Sequence, residues 1–239
     1  MDSYVSLDLE TTGLSPKYDK IIEIGAVKVM EGRVSDSFST FVTPGRRLEE
    51  HVTEITGITG EDLDGAPEIG EILPELLEFT GGLPLLGHRI LFDYSFVKHA
   101  AVNLKLDFEK EGVDTLKLSR ICHRELESKR LTDMCAFYGI TYQAHRALND
   151  AEATHRLYEC LKNEFSASQP ELFIPEKLIY RVKKESPIRP AQLEMLKTLI
   201  ERYGIDCPYE LQKMTRNEAS RYYDKICAQY GAKKNGKKN

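Results

Sequence analysis

The first 42 residues of the chain alternate between apolar and polar positions. Every second residue of the run 4–10 is Val or Leu, which is the period of a β-strand with one buried face. Similar runs follow at 20–29 and 34–42, and a Glu31-Gly32 turn separates them. Strands joined by so short a turn pair as neighbours, so the sequence predicts an antiparallel three-stranded meander.

Helical spacing replaces this alternation after a loop-rich stretch over 44–65. Helices are predicted over 68–79, where Pro74 interrupts the pattern, over 92–104, and near 114–122 and 131–138, with a short apolar strand at 83–87. A last helix is predicted from Asn149, because Asn149 and Glu152 match a capping box. A meander followed by alternating helices and a strand predicts an α/β fold, with a mixed sheet flanked by helices.

The domain organisation follows from these elements. The predicted first domain covers 1–165, and a polar linker follows over 166–186. Residues 187–231 predict a small C-terminal helical appendage, and the basic residues 232–239 predict a disordered tail. The helix boundaries of the appendage are indicated by Pro190, Gly204, the Thr215/Glu218 capping box and Gly231.

The composition indicates in which part of the cell the protein is expected. No stretch approaches the roughly 20 apolar residues of a transmembrane helix, and no signal-peptide pattern opens the chain, so neither a membrane nor secretion is expected. The five cysteines form no CxxC pair, which favours reduced thiols in the cytoplasm.

Residues 1–165 carry 18 basic and 29 acidic residues, a net charge of −11, whereas the rest carries +6. The basic part fits either a polyanionic partner or an ordinary solvated surface.

Asp8 and Glu10 project from the same face of the first predicted strand. Same-face neighbours lie about 6.6 Å apart, so their carboxylates repel unless a cation lies between them. Oxygen ligands of this kind suit Mg²⁺ or Mn²⁺ better than zinc. An isolated pair of this kind is more often an exposed edge strand, but two further acidic segments follow. These are Gly87–Asp93, and the segment in which His145 precedes Asp150.

Together these motifs resemble the DEDDh branch of the 3′–5′ exonucleases, which includes proofreading subunits and ribonuclease T, over residues 3–165. The resemblance implies a ribonuclease H-like fold and two divalent metal ions, Mg²⁺ or Mn²⁺. In the family pattern the Asp8 position contacts both ions, Glu10 and Asp150 complete the first ion's ligands, and Asp93 acts mainly through water. It also implies that His145 is the general base, a role that suits a side chain titrating near neutrality.

Further positions correspond to the family's pocket for the 3′-terminal nucleotide. These are Thr11, Thr12, Gly13, Leu14 and Ile58, although Leu14 and Ile58 are equally plausible as core or loop residues. Arg89 departs from the family, which usually has Asn there; a guanidinium contacts a substrate phosphate or pairs with an acid. His88 and the other histidines outside the motif set match no metal-ligand spacing and are expected to be structural.

The resemblance implies a metal-dependent exonuclease that releases nucleoside monophosphates from the 3′ ends of single-stranded DNA. The direction rests on the resemblance alone, and DNA is preferred because proofreading-type domains are the members that the chain resembles most. An RNA-trimming exonuclease of the ribonuclease T kind is the alternative enzyme, since nothing in the sequence reveals a 2′-hydroxyl contact. A non-catalytic module that binds nucleic-acid ends or a polymerase is the alternative of another class. In either case the helical appendage is a candidate docking element for a polymerase or replication protein.

Overall fold

A computed structural model describes residues 1–231, and its first three strands form the predicted meander. They are β1 (Tyr4–Thr11), β2 (Ile21–Met30) and β3 (Arg33–Phe41), each antiparallel to the next. Both turn residues have positive φ, 51° at Glu31 and 75° at Gly32. Such a turn follows the natural twist of two paired strands, which explains the tight hairpin.

Helices alternate with short strands along the rest of the first 177 residues. In chain order the elements are α1 (Glu50–Thr56), α2 (Ile69–Thr80), β4 (Leu85–Gly87), α3 (Ile90–Asn103), β5 (Glu111–Asp114), α4 (Thr115–Cys122), α5 (Leu131–Phe137), α6 (Ala147–Phe165) and β6 (Glu176–Lys177). The sheet order is β3-β2-β1-β4-β5-β6. Strands β4 and β5 run parallel to β1, and β6 runs antiparallel to β5. The predicted mixed sheet flanked by helices is confirmed.

Three local features differ from the sequence-based expectation. Helix α1 lies in the predicted loop and ends at Gly57, whose φ is 71°. Strand β5 was not predicted, because its four residues are too few to show a period. The predicted capping box at Asn149 is wrong: α6 begins two residues earlier, and the Asn149 amide donates to the Gln143 carbonyl instead (3.0 Å).

The two faces of β1 meet different helices. The side chains of Val5, Leu7 and Leu9 are buried in a cluster that includes residues of α2 and α3. On the opposite face, the Ser6 hydroxyl donates to the Ala151 carbonyl of α6 (2.7 Å). Because side chains alternate along a strand, Asp8 and Glu10 lie on this second face, toward α6.

A glycine allows α6 to approach this face of the sheet. Gly25 on β2 is the register partner of Asp8 on β1. A Cβ atom at Gly25 would lie 2.1 Å from the carbonyl carbon of Ala147 and from the amide nitrogen of Leu148, both in the first turn of α6. The backbone of the helix thus rests directly on the strand beside Asp8.

The structure divides into two compact units. The first comprises residues 1–44 and 48–182, and the second comprises residues 45–47 together with the chain from Lys183. The segment predicted as a linker differs from that expectation over 166–182, since Phe173 is buried and β6 pairs with β5.

The second unit contains α7 (Pro190–Tyr203) and α8 (Arg216–Tyr230), which pack around Leu196, Met214, Ala219, Tyr222 and Ile226. Its predicted boundary signals are confirmed: Pro190 begins α7, Gly204 and Gly231 are left-handed caps, and Thr215 with Glu218 forms a capping box. The tail predicted as disordered, 232–239, lies outside the described residues. Of the helices within 1–231, none has the length and apolar character needed to cross a bilayer.

Candidate active site

Three of the predicted acidic side chains come together at the junction of β1 and α6. Carboxylate oxygens of Asp8, Glu10 and Asp150 all lie within 4.8 Å of one another. Asp8 and Glu10 come from β1, and Asp150 comes from the first turns of α6. All three ligand groups are carboxylates, so the cluster suits a hard, oxygen-preferring divalent cation such as Mg²⁺ or Mn²⁺.

Asp93 lies beside this cluster but outside the group of three. Its side chain on α3 is 3 % exposed, and its Oδ1 accepts a hydrogen bond from the Leu9 amide of β1 (3.2 Å). Burial raises the pKa of the Asp93 carboxyl well above its usual range, although the Leu9 hydrogen bond opposes the shift. The fourth acid is thus held against the same strand as Asp8 and Glu10.

The carboxylates also raise one another's pKa. Burial, followed by repulsion from Asp93, Asp150 and Glu10, raises the pKa of Asp8 well above its usual range. Burial and repulsion from Asp150 and Glu23 raise the pKa of Glu10 to about 8, while Arg146 acts in the opposite direction. A bound cation would relieve this repulsion, so the residues present fit a divalent metal.

His145 lies on the loop that leads into α6. Its side chain is exposed, and its backbone adopts the left-handed conformation, with φ at 66°. The backbone amides of His145 and Arg146 donate to Asp150 Oδ2 over 2.8 and 3.2 Å. Asp150 therefore reaches back over the helix start and fixes the loop that carries His145.

The structure reveals two polar residues that the sequence analysis missed. Glu23 on β2 is 2 % exposed, and its Oε1 accepts hydrogen bonds from the Arg146 guanidinium over 3.0 and 2.9 Å. Its Oε2 accepts from the Ala147 amide at the start of α6 (3.2 Å). An acid in the middle of an apolar strand was the available signal, because a buried carboxylate requires partners.

The residues predicted to line the nucleotide pocket differ in their surroundings. The Thr11 hydroxyl donates to the Gly13 carbonyl (2.7 Å), and the Thr12 hydroxyl accepts from the Lys20 amide (2.9 Å), so both shape the loop after β1. Leu14 is 81 % exposed, whereas Ile58 is 2 % exposed and packs in a buried cluster with Val52 and Leu63. Ile58 is therefore a core residue, which was one of its two predicted roles, and Leu14 stays a candidate for contact with a base.

Arg89 and His88 lie between β4 and α3. Arg89 is exposed, and its backbone amide donates to Asp114 Oδ1 (2.9 Å). The His88 ring is bonded on both sides, to the Thr115 hydroxyl (2.9 Å) and to the Lys129 carbonyl (2.8 Å). The structural role expected for His88 is confirmed.

Known proteins match both the motifs and the fold. An exonuclease family model, RNase_T, matches residues 5–158. The chain belongs to this exonuclease family. A DNA polymerase III PolC-type protein of Clostridium perfringens is 37 % identical over 217 residues, which are 89 % of this chain and 15 % of that protein. The chain thus spans a small part of its curated relative. The predicted resemblance to DEDDh 3′–5′ exonucleases is confirmed, and the chain is an enzyme of this class.

Solved exonuclease structures share the fold. Exonuclease I of E. coli, crystallised with a dT13 oligonucleotide, superposes with a TM-score of 0.62 at 20 % identity, over 72 % of this chain and 43 % of that one. The nuclease domain of 3′hExo, a DEDDh family member bound to rAMP, gives a TM-score of 0.62 at 19 % identity, over 74 % of this chain and 98 % of that one. At these identities the likeness concerns the fold.

The raised pKa of Glu10 leads to a prediction about pH. When a carboxyl binds protons more tightly in the folded state than in the unfolded state, the folded protein becomes less stable as the pH rises through the folded pKa of that carboxyl. The pKa of Glu10 is about 8 in the fold, above its ordinary value of 4.5, so stability of the metal-free protein is expected to fall between pH 5 and 8. Glu10→Gln is expected to raise the thermal midpoint in EDTA at pH 8 and to change it little at pH 5.

Thermal melts at both pH values in EDTA would measure this effect. Glu61→Gln, at an exposed position, is the matched control and is expected to leave both midpoints unchanged. Equal shifts at pH 5 and pH 8 for Glu10→Gln would contradict the assignment of the repulsion to this carboxylate.

Proposed function

We propose that this exonuclease releases nucleoside monophosphates from the 3′ ends of single-stranded DNA, with two divalent metal ions, Mg²⁺ or Mn²⁺. The observation that carries the proposal is the cluster of Asp8, Glu10 and Asp150 carboxylates within 4.8 Å. DNA is favoured as substrate because the curated relative is a DNA polymerase III PolC-type protein.

The chain's own residues divide the work as follows. Asp8, Glu10 and Asp150 would hold the metal, with Asp93 beside them. Bound divalent ions stabilise the negative charge that develops on the phosphate and on the leaving oxygen. A His145 ring nitrogen accepts the proton of the attacking water as the new oxygen–phosphorus bond forms and the bond to the 3′ oxygen of the preceding nucleotide breaks.

The loop after β1 would hold the terminal nucleotide. Leu14 presents an exposed apolar side chain for a base, and Gly13 lets the backbone come close to the sugar. The intraloop hydrogen bonds of Thr11 and Thr12 keep this loop in shape before a substrate arrives. Ile58 is buried with Val52 and Leu63, so it is not assigned a contact with the nucleotide.

The activity test uses 5′-labelled single-stranded DNA and RNA oligonucleotides of the same sequence, resolved on a gel. A ladder that shortens from the 3′ end with Mg²⁺ or Mn²⁺, and that disappears with EDTA, is the expected result on DNA. Faster shortening of RNA would indicate that the enzyme is an RNA-trimming exonuclease of the ribonuclease T kind. An intact oligonucleotide of both kinds with metal present would contradict catalysis and favour a binding module.

His145→Ala is expected to lower kcat by about 10²- to 10⁴-fold, the usual contribution of a positioned general base. The thermal midpoint should be unchanged, because the His145 side chain is exposed. His51→Ala removes another exposed histidine and serves as the matched control. Single-turnover cleavage of labelled DNA measures both variants, and wild-type rates for His145→Ala would assign the proton to another acceptor.

The second unit is proposed to dock on a polymerase or replication protein. The match to the PolC-type relative covers 89 % of this chain, more than the first unit contains, so it extends into the second unit. Exposed cations on α7 and α8, such as Arg202 and Lys225, offer contacts to an acidic partner surface. The test is a pull-down in which the immobilised chain retains the polymerase. If the double variant Arg202→Glu/Lys225→Glu no longer retains the polymerase but keeps its exonuclease activity, the result would support this role. Unchanged retention would contradict it.

A further inference from the structure

A group of cationic side chains in the first unit lines an open cleft of about 910 Å³ beside α4. The cationic side chains of this basic cleft are Arg89, Arg120, Arg124, Lys129 and Arg130. Glu127 and Asp133 are its two acidic members. Residues 1–165 carry a net charge of −11, so this excess of cations opposes the general charge of the domain. The sequence does not show the cleft as a basic run, because three separate segments contribute to it.

Within the described part of the chain, the cleft arginines have no carboxylate counter-ion. Arg89, Arg120, Arg124 and Arg130 are all exposed, and among residues 1–231 no carboxylate lies within ion-pair distance of their guanidinium groups. Asp133, one of the two acids that line the cleft, accepts a hydrogen bond from the Ser128 hydroxyl (2.5 Å). Like charges held close together repel, so an anionic ligand would stabilise the group.

The wall of the cleft is fixed by half-buried hydrogen bonds. The His88 ring ties the Lys129 carbonyl to the Thr115 hydroxyl over 2.8 and 2.9 Å. The Lys129 ammonium donates to the Leu126 carbonyl, within the segment between Arg124 and Arg130. The cations are therefore presented on a preformed surface, a condition that lowers the cost of binding.

The cleft begins at Arg89, close in the chain to Asp93, the acid beside the cluster. Arg89 is the residue before the first turn of α3, and Asp93 lies four residues further on. Four residues of α-helix rise about 6 Å. When the last phosphodiester of a strand lies at the carboxylates, the next phosphates upstream are therefore within reach of Arg89.

The lining indicates what is recognised. Guanidinium groups bind phosphate with paired donors, and phosphate contacts carry no base sequence. No residue that lines the described cleft is Phe, Tyr or Trp, so the stacking platforms of base recognition are absent there. We propose that the basic cleft holds the backbone phosphates of the substrate strand upstream of its 3′ end, an inference that rests on the proposed nucleic-acid substrate.

The test compares two triple variants of the full chain with equal loss of charge. The cleft variant is Arg120→Gln/Arg124→Gln/Arg130→Gln, and the matched control is Arg33→Gln/Arg156→Gln/Arg181→Gln, three exposed arginines outside the cleft. Fluorescence anisotropy measures binding of 5′-fluorescein-labelled dT20 and dT3, with Ca²⁺ in place of Mg²⁺ to slow hydrolysis. Titrations at several salt concentrations give the slope of log affinity against log salt.

The cleft variant is expected to bind dT20 at least about tenfold more weakly at low salt, with a salt slope smaller by about 2, because each lost phosphate contact removes about 0.7 from the slope. Binding of dT3, which ends near the acidic cluster, should be unchanged, and the control variant should match wild type on both. Equal dT20 affinity of the cleft and control variants would overturn the inference. If the cleft variant unfolds, the single variants Arg124→Gln and Arg33→Gln decide the same comparison.

A mononucleotide substrate separates this inference from the proposed function. The 4-nitrophenyl ester of thymidine 5′-monophosphate has no upstream phosphate, so the cleft variant should hydrolyse it at the wild-type rate while its KM for dT20 rises. Failure of the wild type to hydrolyse both the ester and dT20 would overturn the proposed function. The anisotropy comparison needs no hydrolysis and still decides whether the cleft binds a strand.

Discussion

Asp8→Ala is expected to lower kcat/KM for removal of 3′ nucleotides by at least about 10³-fold. Metal ions at such sites contribute several kcal/mol of charge stabilisation, and about 1.36 kcal/mol corresponds to each factor of ten. Asp8 is the carboxylate on which the charges of Asp93, Asp150 and Glu10 all act. The substitution therefore removes the carboxylate that interacts with all the other acids of the site, rather than a ligand that interacts with only one of them.

Asp36→Ala is the matched control, because Asp36 is an exposed aspartate on β3. Initial rates on labelled single-stranded DNA measure activity, and melts with and without Mn²⁺ measure metal binding. Mn²⁺ is expected to raise the midpoint of the wild type and of Asp36→Ala, and to have little effect on Asp8→Ala. Retention of more than about a tenth of the wild-type activity by Asp8→Ala would exclude this metal arrangement.

Gly25→Ala is expected to reduce activity by about 100-fold or more without touching a catalytic group. Its Cβ would lie 2.1 Å from backbone atoms of Ala147 and Leu148, and a helix backbone cannot move aside as a flexible side chain can. The start of α6 must shift, and Asp150 and His145 shift with it. A displacement of about 1 Å at a catalytic site costs on the order of 10²-fold in rate.

The same substitution should destabilise the fold by about 1–3 kcal/mol, the usual cost of overpacking. Gly82→Ala is the control, since a Cβ there would meet no atom within 4 Å. Thermal melts and single-turnover rates at a temperature where both variants are folded separate the two effects. Wild-type turnover by folded Gly25→Ala would show that the position of α6 tolerates this change.

The alternation of β1 predicted the shared face of Asp8 and Glu10, because the side-chain period of a strand is fixed by its geometry. The meander was predictable for the same reason. Asp150 and Asp93 were found only through the order of the motifs, since no local pattern tells which helix meets which strand. The tertiary structure alone brings the start of α6 against β2.

Close approach and burial were the features that the sequence could not supply. Gly25 resembles any glycine within a strand until the helix backbone above it is known. Glu23 was visible as an acid in an apolar strand, but its partner Arg146 is 123 residues away along the chain. The basic cleft has the same origin, because its arginines come from segments that only the fold brings together.

The discontinuity of the second unit has a consequence for how the chain folds. Residues 45–47 belong to that unit, and Arg46 forms an antiparallel bridge with Tyr209, 163 residues later. Contacts between such distant residues form late, because the intervening chain must first be brought together. During synthesis residues 45–47 leave the ribosome long before their partners exist. The helical unit therefore cannot be completed until the residues after Lys183 have emerged, and a fragment that starts at Lys183 lacks one of its own parts.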